Sequence, residues 1–318
     1  MQLLVLGGTK FLGRHVVEFA VERGHDVTLF NRGRTHPELF PDVEKLRGDR
    51  DGHLDALRGR PFDAVVDTSG YVPRVVRETI EALGPVGHYT FVSSISVYAD
   101  CSTPPTESSP LLQLTQPTED WREAYGELKV LCEETVRSAF PSAFIPRPGL
   151  IAGPWDPTGR FSYWPQRLAD GGRVLAPAPP DAPVQVIDAR DLAAWIVLAA
   201  ETGLAGTFNV VDRPTTWAAF LAACGDAELV WVAPEFLAAQ GVGEWMELPL
   251  WLHDPSVAGM LAVDPAPAFA AGLVTRPLGE TARDTLAWLE GGQGPAEVPA
   301  GLAHDKEQRI LDVWLSKE

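Results

Sequence analysis

The chain opens with MQLLVLGGTKFLGRHVVEFA (residues 1–20), and this stretch decides the fold. An apolar run over residues 2–6 stops at two glycines, and apolar residues resume at helical spacing over residues 12–23. A strand that turns sharply into a helix offers its backbone N–H groups to a phosphate, provided that the turn carries no bulky side chains. The glycines that meet this need are Gly7, Gly8 and Gly13. The stretch therefore predicts a phosphate-binding turn, with a plain tight turn as the alternative.

The first half of the chain repeats this alternation of short apolar runs and longer helical patterns, which is typical of βαβ units and a parallel sheet. The predicted strands are residues 2–6, 26–30, 43–47, 63–67, 88–93 and 143–147. We predict an α/β fold, a Rossmann-type doubly wound parallel sheet.

The second half differs in composition, because prolines and glycines become frequent and nine of the ten tryptophans lie beyond residue 150. We predict a Rossmann domain over residues 1–150 that is rejoined by a strand and a helix at about residues 184–211. A smaller, interleaved substrate lobe is predicted over residues 151–183 and 212–290. Residues 291–318 are predicted to form a linker and a last amphipathic helix.

Composition and charge exclude several classes of protein. Apolar residues make up 45% and charged residues 22% of the 318 residues, close to the averages of folded globular proteins. Acidic residues outnumber basic ones by 43 to 26, and a net charge of −17 repels nucleic acid and anionic membranes. The longest uncharged apolar stretch, residues 192–200, is far too short to cross a bilayer, and the start of the chain has no pattern of a secretory signal. We expect a cytoplasmic protein with no nucleic-acid or membrane partner.

Cysteines and histidines give no sign of a metal site. Cys101, Cys132 and Cys224 are far apart and form no CxxC pair, so we interpret them as reduced thiols. The seven histidines occur singly, and His15 on the first helix is interpreted as a packing residue. No metal is predicted.

The end of the second strand bears on the choice of cofactor. An acidic side chain about 20 residues past the glycines would hold the ribose of NAD, whereas an arginine accommodates the 2′-phosphate of NADP. This chain has Asn31 and Arg32 there, and Lys10 replaces a glycine of the strict fingerprint. We predict NADP, with NAD as the alternative and a solvated loop charge as the other interpretation of Arg32. Asp49, after the third strand, is predicted to contact the adenine amino group.

Tyr125 and Lys129 are four residues apart, so on a helix they share one face. An ammonium beside a phenol favours the phenolate, and we therefore expect Lys129 to lower the pKa of Tyr125. Tyr125 would then act as a general acid or base toward a substrate oxygen, and Ser94 would orient the same oxygen.

The order of motifs resembles a known superfamily. GGTKFLG at the first turn, GD after the third strand, FVSSISVY on the fifth, YGELK on the next helix and RPGLIAGP after the sixth are similar to the extended short-chain dehydrogenases/reductases. These are NAD(P)-dependent epimerases, dehydratases and reductases, and the resemblance covers roughly the first two-thirds of the chain. Within the superfamily, the sequence is similar to epimerase-like and isoflavone-reductase-like members.

The resemblance implies roles for particular residues. Ser94, Tyr125 and Lys129 would be catalytic. The cofactor would be held by Gly7, Gly8, Thr9, Lys10, Phe11, Leu12, Gly13, Asn31, Arg32, Asp49, Thr68, Ser69, Tyr125 and Lys129. A homodimer through helices of the first lobe is common in the superfamily, although no pattern here requires one.

The sequence predicts the substrate in less detail than it predicts the cofactor. Superfamily members that act on nucleotide sugars carry an Asn and an Arg where this chain has Leu150 and Asp181, and an aspartate repels a diphosphate. Aromatic walls suit a neutral or apolar substrate, and we predict Tyr163 and Trp164 as substrate residues.

The leading interpretation is an NADP(H)-dependent oxidoreductase that acts on a carbonyl or alcohol of a small metabolite. One alternative is an NAD-dependent epimerase or dehydratase on a nucleotide sugar, and another is a non-catalytic NAD(P)-sensing or RNA-binding protein on the same fold.

Overall fold

The computed structural model describes residues 1–294 and 300–317. The strands are β1 (Gln2–Leu6), β2 (Asp26–Asn31), β3 (Glu44–Arg47), β4 (Ala64–Asp67), β5 (His88–Phe91), β6 (Phe144–Pro148), β7 (Ile151–Ala152), β8 (Arg173–Pro177), β9 (Pro183–Val184), β10 (Ile187–Asp188), β11 (Gly206–Val210), β12 (Thr215–Thr216), β13 (Glu228–Val232), β14 (Glu244–Trp245) and β15 (Leu248–Pro249). The α-helices are α1 (Phe11–Glu22), α2 (Pro73–Leu83), α3 (Tyr125–Ala139), α4 (Tyr163–Ala169), α5 (Ala189–Thr202), α6 (Trp217–Cys224), α7 (Pro234–Ala239), α8 (Ala266–Ala270), α9 (Leu278–Glu290) and α10 (His304–Leu315). Short 3₁₀ helices cover Asp55–Leu57, Ile95–Val97 and Pro255–Leu261.

Seven strands form one parallel sheet in the order β11-β6-β5-β4-β1-β2-β3. The chain runs outward from β1 in one direction to β2 and β3 and then returns to β4 on the other side. In open parallel sheets, ligands bind beyond the carboxyl ends of the strands at such a reversal. The fold therefore places a binding crevice between the ends of β1 and β4, where the glycine turn lies.

The two faces of the sheet are covered by different helices, and β1 illustrates why. Leu3 and Val5 point to the face that α1 and α5 cover, whereas Leu4 and Leu6 point to the face that α2 and α3 cover. Because neighbouring side chains of a strand lie on opposite faces, a strand buried on both sides is apolar throughout. All four of these leucine and valine side chains are fully buried.

A second lobe surrounds its own apolar core. Its strands form small sheets, β8 with β13, β9 with β12 and β14 with β15, and α4, α6 and α9 pack together beside them. Trp164, Trp217 and Phe220 meet edge to face in the core of this lobe, at centroid distances from 5.1 to 6.4 Å. The large aromatic side chains fill a core that has little regular secondary structure.

After the first part of the second lobe, the chain returns to the main sheet. Strand β11 lies beside β6 at the edge of the main sheet, and α5 packs against α1. The predicted return at about residues 184–211 thus corresponds to β10, α5 and β11, with β9 remaining in the second lobe. Helix α10 is anchored to the second lobe by Glu307, which accepts hydrogen bonds from Arg167 Nε and the backbone N–H of Leu175.

Predicted and observed bounds differ by one or two residues at several strand ends. Strand β5 ends at Phe91 rather than at residue 93, because the chain then leaves the sheet and enters the 3₁₀ helix Ile95–Val97. Strand β6 is shifted by one residue and ends at Pro148. Of the predicted linker, residues 295–299 lie outside the part of the chain that the structure describes.

Among the described helices, none combines the length and apolar character that crossing a bilayer requires. The three cysteines are buried and unpaired.

Candidate active site

A cleft of about 770 Å³ runs along the carboxyl edge of the main sheet and continues against the second lobe. Its walls come from the glycine turn, from the segments that follow β2, β3, β4 and β5, from the start of α3, and from the loop after β7. All fourteen residues that the resemblance assigns to the cofactor line this cleft, as does Ser94. The fold thus brings together residues from position 7 to position 129.

The glycine turn is shaped to receive a phosphate. Gly7 and Gly8 have φ angles of +111° and +88°, a region that other residues rarely adopt. A Cβ added to Gly13 would lie 2.9 Å from the backbone nitrogen of Gly8, so only glycine allows this close approach. Helix α1 begins directly after the turn, and its N-cap residue Lys10 makes no side-chain capping hydrogen bond. The Gly13 N–H donates to the Lys10 carbonyl oxygen at 3.1 Å, so the N–H groups before it, at the very start of α1, are the ones suited to an anion such as a dinucleotide pyrophosphate.

The end of β2 forms the side of the cleft where the sequence predicts the adenosine of the cofactor. The Asn31 amide donates to the Gly7 carbonyl oxygen at 2.9 Å and accepts from the backbone N–H of Gly33 at 2.9 Å. Asn31 therefore ties the end of β2 to the glycine turn. Arg32 Nη1 lies 3.9 Å from Asp49 Oδ2, and both side chains are largely exposed on the rim.

Arg50 is a cleft residue that the sequence analysis missed. Its guanidinium donates two hydrogen bonds to the fully buried Asp67 carboxylate, at 2.6 and 2.7 Å, and lies 3.3 Å from Ser69 Oγ. Burial is the largest single effect and disfavours the charged form of Arg50, but the charge and the hydrogen bonds of Asp67 together offset it, and the pKa of Arg50 is raised. An ionised aspartate at the buried end of β4 requires a cationic partner such as Arg50. This requirement was the feature of the sequence from which a cation in the cleft could have been predicted.

The three predicted catalytic residues lie together at the far end of the cleft. Ser94 follows β5, and its hydroxyl accepts from the backbone N–H of Ser96 at 3.1 Å. Tyr125 is the first residue of α3 and lines the same cleft as Ser94. One turn later, Lys129 Nζ lies 5.9 Å from the centre of the Tyr125 ring and donates to the Val92 carbonyl oxygen at 2.8 Å.

The protonation states differ from those expected. Burial raises the pKa of Tyr125 to about 12, and the nearby Ser94 hydroxyl and the charge of Arg160 offset this only in part. Burial also lowers the pKa of Lys129 to about 8. The expectation that Lys129 brings the pKa of Tyr125 toward neutrality is therefore corrected, because removal from water is the larger effect on both groups. At pH 7 the phenol carries its proton.

A buried ionic network supports this end of the cleft from below. Glu133 accepts from Ser93 Oγ at 2.5 Å and from Arg147 at 2.7 and 2.9 Å. Burial favours the neutral carboxyl, but the hydrogen bonds and charge of Arg147 prevail and lower the pKa of Glu133. Arg147 also donates to the Tyr98 hydroxyl at 3.1 Å. The network fixes the segment that carries Ser94.

The prediction that Tyr163 and Trp164 contact the substrate is wrong for this cleft. Trp164 is fully buried in the core of the second lobe and donates to the Pro249 carbonyl oxygen at 3.0 Å. Tyr163 lines a separate, smaller pocket. The same stretch of sequence does reach the cleft, but through Asp156, Thr158 and Arg160. Large apolar rings of this stretch, such as that of Trp164, pack in the core, whereas its polar residues line the cleft.

The cleft has a charge opposite to that of the chain. Six basic and three acidic side chains line it, in a protein whose net charge is −17. They are Lys10, Arg32, Arg34, Arg50, Lys129 and Arg160, and Asp49, Asp51 and Asp156. A basic cleft in an acidic protein attracts anionic ligands.

Comparison with known structures shows the same architecture. The Bordetella bronchiseptica enzyme WbmH, solved with NAD⁺, superposes with a TM-score of 0.69 over 92% of this chain and 99% of its own, at 18% sequence identity. The chain therefore shares the Rossmann-type α/β fold of this enzyme. The predicted α/β class and Rossmann-type sheet are thereby confirmed.

Sequence comparison adds two shorter matches. UDP-glucose 4-epimerase of Erwinia amylovora is 27% identical over 168 residues, which are 43% of this chain and 48% of that protein. The chloroplast stem-loop binding protein of 41 kDa b of Arabidopsis thaliana is 32% identical over 113 residues, 30% of each protein. The matches thus span less than half of these curated relatives. No model of a protein family matches the chain.

The sequence analysis also missed two aromatic residues of the cleft. Tyr71 and Trp121 lie 5.2 Å apart between ring centres, and Tyr71 lies 6.3 Å from Tyr125. Lys129 Nζ is 4.9 Å from the centre of the Tyr71 ring. The rings extend the wall beside Tyr125 toward solvent. No local pattern signals the pairing, since the two residues are 50 positions apart and come from different loops.

Proposed function

We propose that this protein is a nicotinamide-dinucleotide-dependent enzyme that oxidises or reduces a substrate carbon bearing an alcohol or carbonyl oxygen. The observation that carries the proposal is the continuity of one cleft from the glycine turn at Gly7 to the Ser94, Tyr125 and Lys129 group. A dinucleotide is long enough to need both ends of such a cleft, with its pyrophosphate at the amino end of α1.

When bound, the cofactor supplies or accepts a hydride at its nicotinamide ring. Tyr125 carries a proton at neutral pH and donates it to the substrate oxygen when a carbonyl is reduced. In the opposite direction Tyr125 must first lose that proton. Lys129 is the nearest cation on the same helix face, and movement of its ammonium from the Val92 carbonyl toward the phenol would favour that loss. Ser94 holds the substrate oxygen in line with Tyr125.

Among the reaction classes, we favour the epimerase or dehydratase type, in which the cofactor is restored within one catalytic cycle. WbmH, the neighbour described above, was solved with NAD⁺, and the Erwinia amylovora relative is an epimerase by name. A net oxidoreductase is the second candidate, and the end of β2 favours it. An amide at Asn31 and a cation at Arg32 occupy positions where an acid would hold the ribose of NAD. These residues favour NADP.

The two candidates differ in what the purified protein contains. An epimerase or dehydratase is expected to retain oxidised cofactor at near one equivalent, detected by extraction and enzymatic assay. A net oxidoreductase is expected to release it and to consume added NADPH or NADP⁺. Arg32→Ala should weaken NADP(H) binding at least tenfold with little effect on NAD(H), whereas equal effects on both would contradict the proposed role of Arg32. Failure to bind any nicotinamide dinucleotide would overturn the whole proposal.

Small metabolites are the proposed partners, and nucleic acid is not. The stem-loop binding relative matches only 30% of this chain, and the charge of −17 opposes binding to a phosphate backbone. Retention of an RNA stem-loop at physiological salt, without any redox turnover, would reverse this part of the proposal. We propose a cytoplasmic location because the three cysteines are unpaired, as is usual for proteins of a reducing compartment.

A further inference from the structure

The substrate end of the cleft contains one prominent cation. Arg160 lies in the loop between β7 and α4, and it lines the cleft together with Tyr125, Trp245 and Met260. Its charge reaches the catalytic phenol, since Arg160 is one of the groups that lower the pKa of Tyr125 against the larger effect of burial. The other basic residues of the cleft lie near the glycine turn, near the ends of β2 and β3, or on α3.

The loop holds Arg160 in place through a chain of hydrogen bonds. The Asp156 carboxylate accepts from the backbone N–H of Thr158 at 2.8 Å and from its hydroxyl at 2.7 Å. Thr158 Oγ1 in turn accepts from Arg160 Nε at 3.2 Å and from the Arg160 backbone N–H at 3.3 Å. On the other side, the Arg160 guanidinium carbon lies 5.2 Å from the centre of the Trp245 ring. The side chain is thus oriented before any ligand arrives.

The outer edge of the guanidinium is unpaired. Within residues 1–294 and 300–317, no carboxylate lies within ion-pair distance of Arg160, and its two terminal nitrogens make no hydrogen bond. Asp156 is the acidic residue of the same loop; it is fully buried, its Oδ1 is engaged with Thr158, and its charge offsets the burial of Arg160 only in part. Burial of an arginine that lacks an ion pair is costly, and burial does lower the pKa of Arg160. Arginines of this kind are usually matched by an anionic ligand.

We propose that Arg160 binds an oxyanion of the substrate, a carboxylate or a phosphoryl group, while the reacting oxygen of the same molecule contacts Tyr125. This inference rests on the proposed function and specifies its substrate class. The planar guanidinium offers two parallel N–H donors, which match either oxyanion. One cation suits one such group, and it fits a small anionic metabolite better than the diphosphate of a nucleotide sugar. The sequence-based expectation of a neutral substrate is thereby replaced.

The test separates the cofactor from the substrate. First, binding of NADH and NADPH is followed by fluorescence for the wild type and Arg160→Gln, and we expect equal affinities and equal melting temperatures. If neither cofactor binds the wild type, the proposed function fails and this inference falls with it. If Arg160→Gln loses cofactor binding, Arg160 belongs to the cofactor site and the inference alone is overturned.

Second, with cofactor saturating, acetate, inorganic phosphate, pyrophosphate and UDP are titrated calorimetrically. We expect the wild type to bind acetate or phosphate, and Arg160→Gln to bind it at least tenfold more weakly. The stronger of the two ligands then identifies the oxyanion as a carboxylate or a phosphoryl group. Arg160→Lys, which keeps the charge without the planar donors, should give an intermediate loss.

Arg14→Gln is the matched control. Arg14 also lies over a tryptophan, 3.6 Å from the centre of a Trp155 ring, but it is paired with Glu18 at 2.8 Å and does not line the cleft. It should leave anion binding unchanged. The inference is overturned if the wild type binds neither acetate nor phosphate, if Arg160→Gln binds them as the wild type does, or if UDP binds tightly and independently of Arg160.

Discussion

The Lys129 ammonium lies 5.9 Å from the centre of the Tyr125 ring, one turn along α3, and donates its hydrogen bond to the Val92 carbonyl oxygen instead of to the phenol. Both groups are removed from water, and their pKa values move toward the neutral forms, to about 8 for Lys129 and about 12 for Tyr125. Tyr125 is therefore protonated and able to donate its proton to a substrate. It can act as a base only after the Lys129 ammonium has moved closer to the phenol.

The low pKa of Lys129 makes stability depend on pH in a defined direction. Between about pH 8 and pH 10 the unfolded chain keeps its lysine proton while the folded protein loses it, so the folded state gains stability as the pH rises. Relative to Lys129→Met, the free energy of unfolding of the wild type should increase by about 2 kcal/mol over this interval. Urea denaturation at several pH values measures the difference. A flat difference, or one that decreases, would contradict the burial of a titrating Lys129.

Tyr125→Phe tests the proton transfer. The substitution removes the hydroxyl but keeps the ring, so affinity for the dinucleotide should stay within about twofold of the wild type. Turnover should fall by about 10² to 10⁴, which is the usual contribution of a positioned general acid. Ser96→Ala is a suitable control, because Ser96 also lines the cleft but its hydroxyl only accepts a hydrogen bond from the Ser94 hydroxyl and transfers no proton to the substrate. Full activity of Tyr125→Phe would remove Tyr125 from the mechanism.

Gly13→Ala tests the shape of the phosphate turn. The added methyl group would lie 2.9 Å from the nitrogen of Gly8 and 3.2 Å from its Cα, so the turn must open. We expect cofactor affinity to fall at least tenfold in a fluorescence titration. Gly279→Ala is the matched control in α9, where the new methyl group has ordinary contact distances and should leave cofactor binding unchanged. Unchanged affinity in Gly13→Ala would mean that the turn does not hold the phosphates.

Glu133→Gln tests the buried network beneath Ser94. Removal of the charge leaves Arg147 buried without a counter-ion, and the loss of one partner of such a pair costs about 3 to 5 kcal/mol. Glu44→Gln is the exposed comparison, since Glu44 pairs with Arg60 at the surface and such pairs contribute about 1 kcal/mol or less. Urea unfolding curves of the two variants should differ accordingly. Equal and small losses would indicate that Glu133 and Arg147 are not a buried pair.

The parts of the site that sequence predicts are those built from neighbouring residues. The glycine turn follows from a strand, two glycines and a helical pattern within 20 residues, and the Tyr125 and Lys129 pairing follows from a spacing of four on α3. These features depend on local geometry. The order of strands then brings them to one edge of the sheet, and this follows from the alternation of strands and helices.

The parts that sequence does not predict depend on contacts between distant segments. Arg50 and Asp67 meet from the ends of β3 and β4, and Arg160 lies beside Trp245 across 85 positions. The second lobe has irregular structure, so periodicity does not tell which aromatic ring is buried. Trp164, chosen for the substrate, is in the core, whereas Arg160 from the same stretch reaches the cleft.

The most direct test of the account is a crystal structure of the protein with a nicotinamide dinucleotide at saturating concentration. We predict that the pyrophosphate lies against the backbone of residues 7–13 and that the nicotinamide ring lies beside the Tyr125 hydroxyl and Ser94. Density for the dinucleotide elsewhere on the molecule, or a nicotinamide ring directed away from Tyr125, would contradict the account.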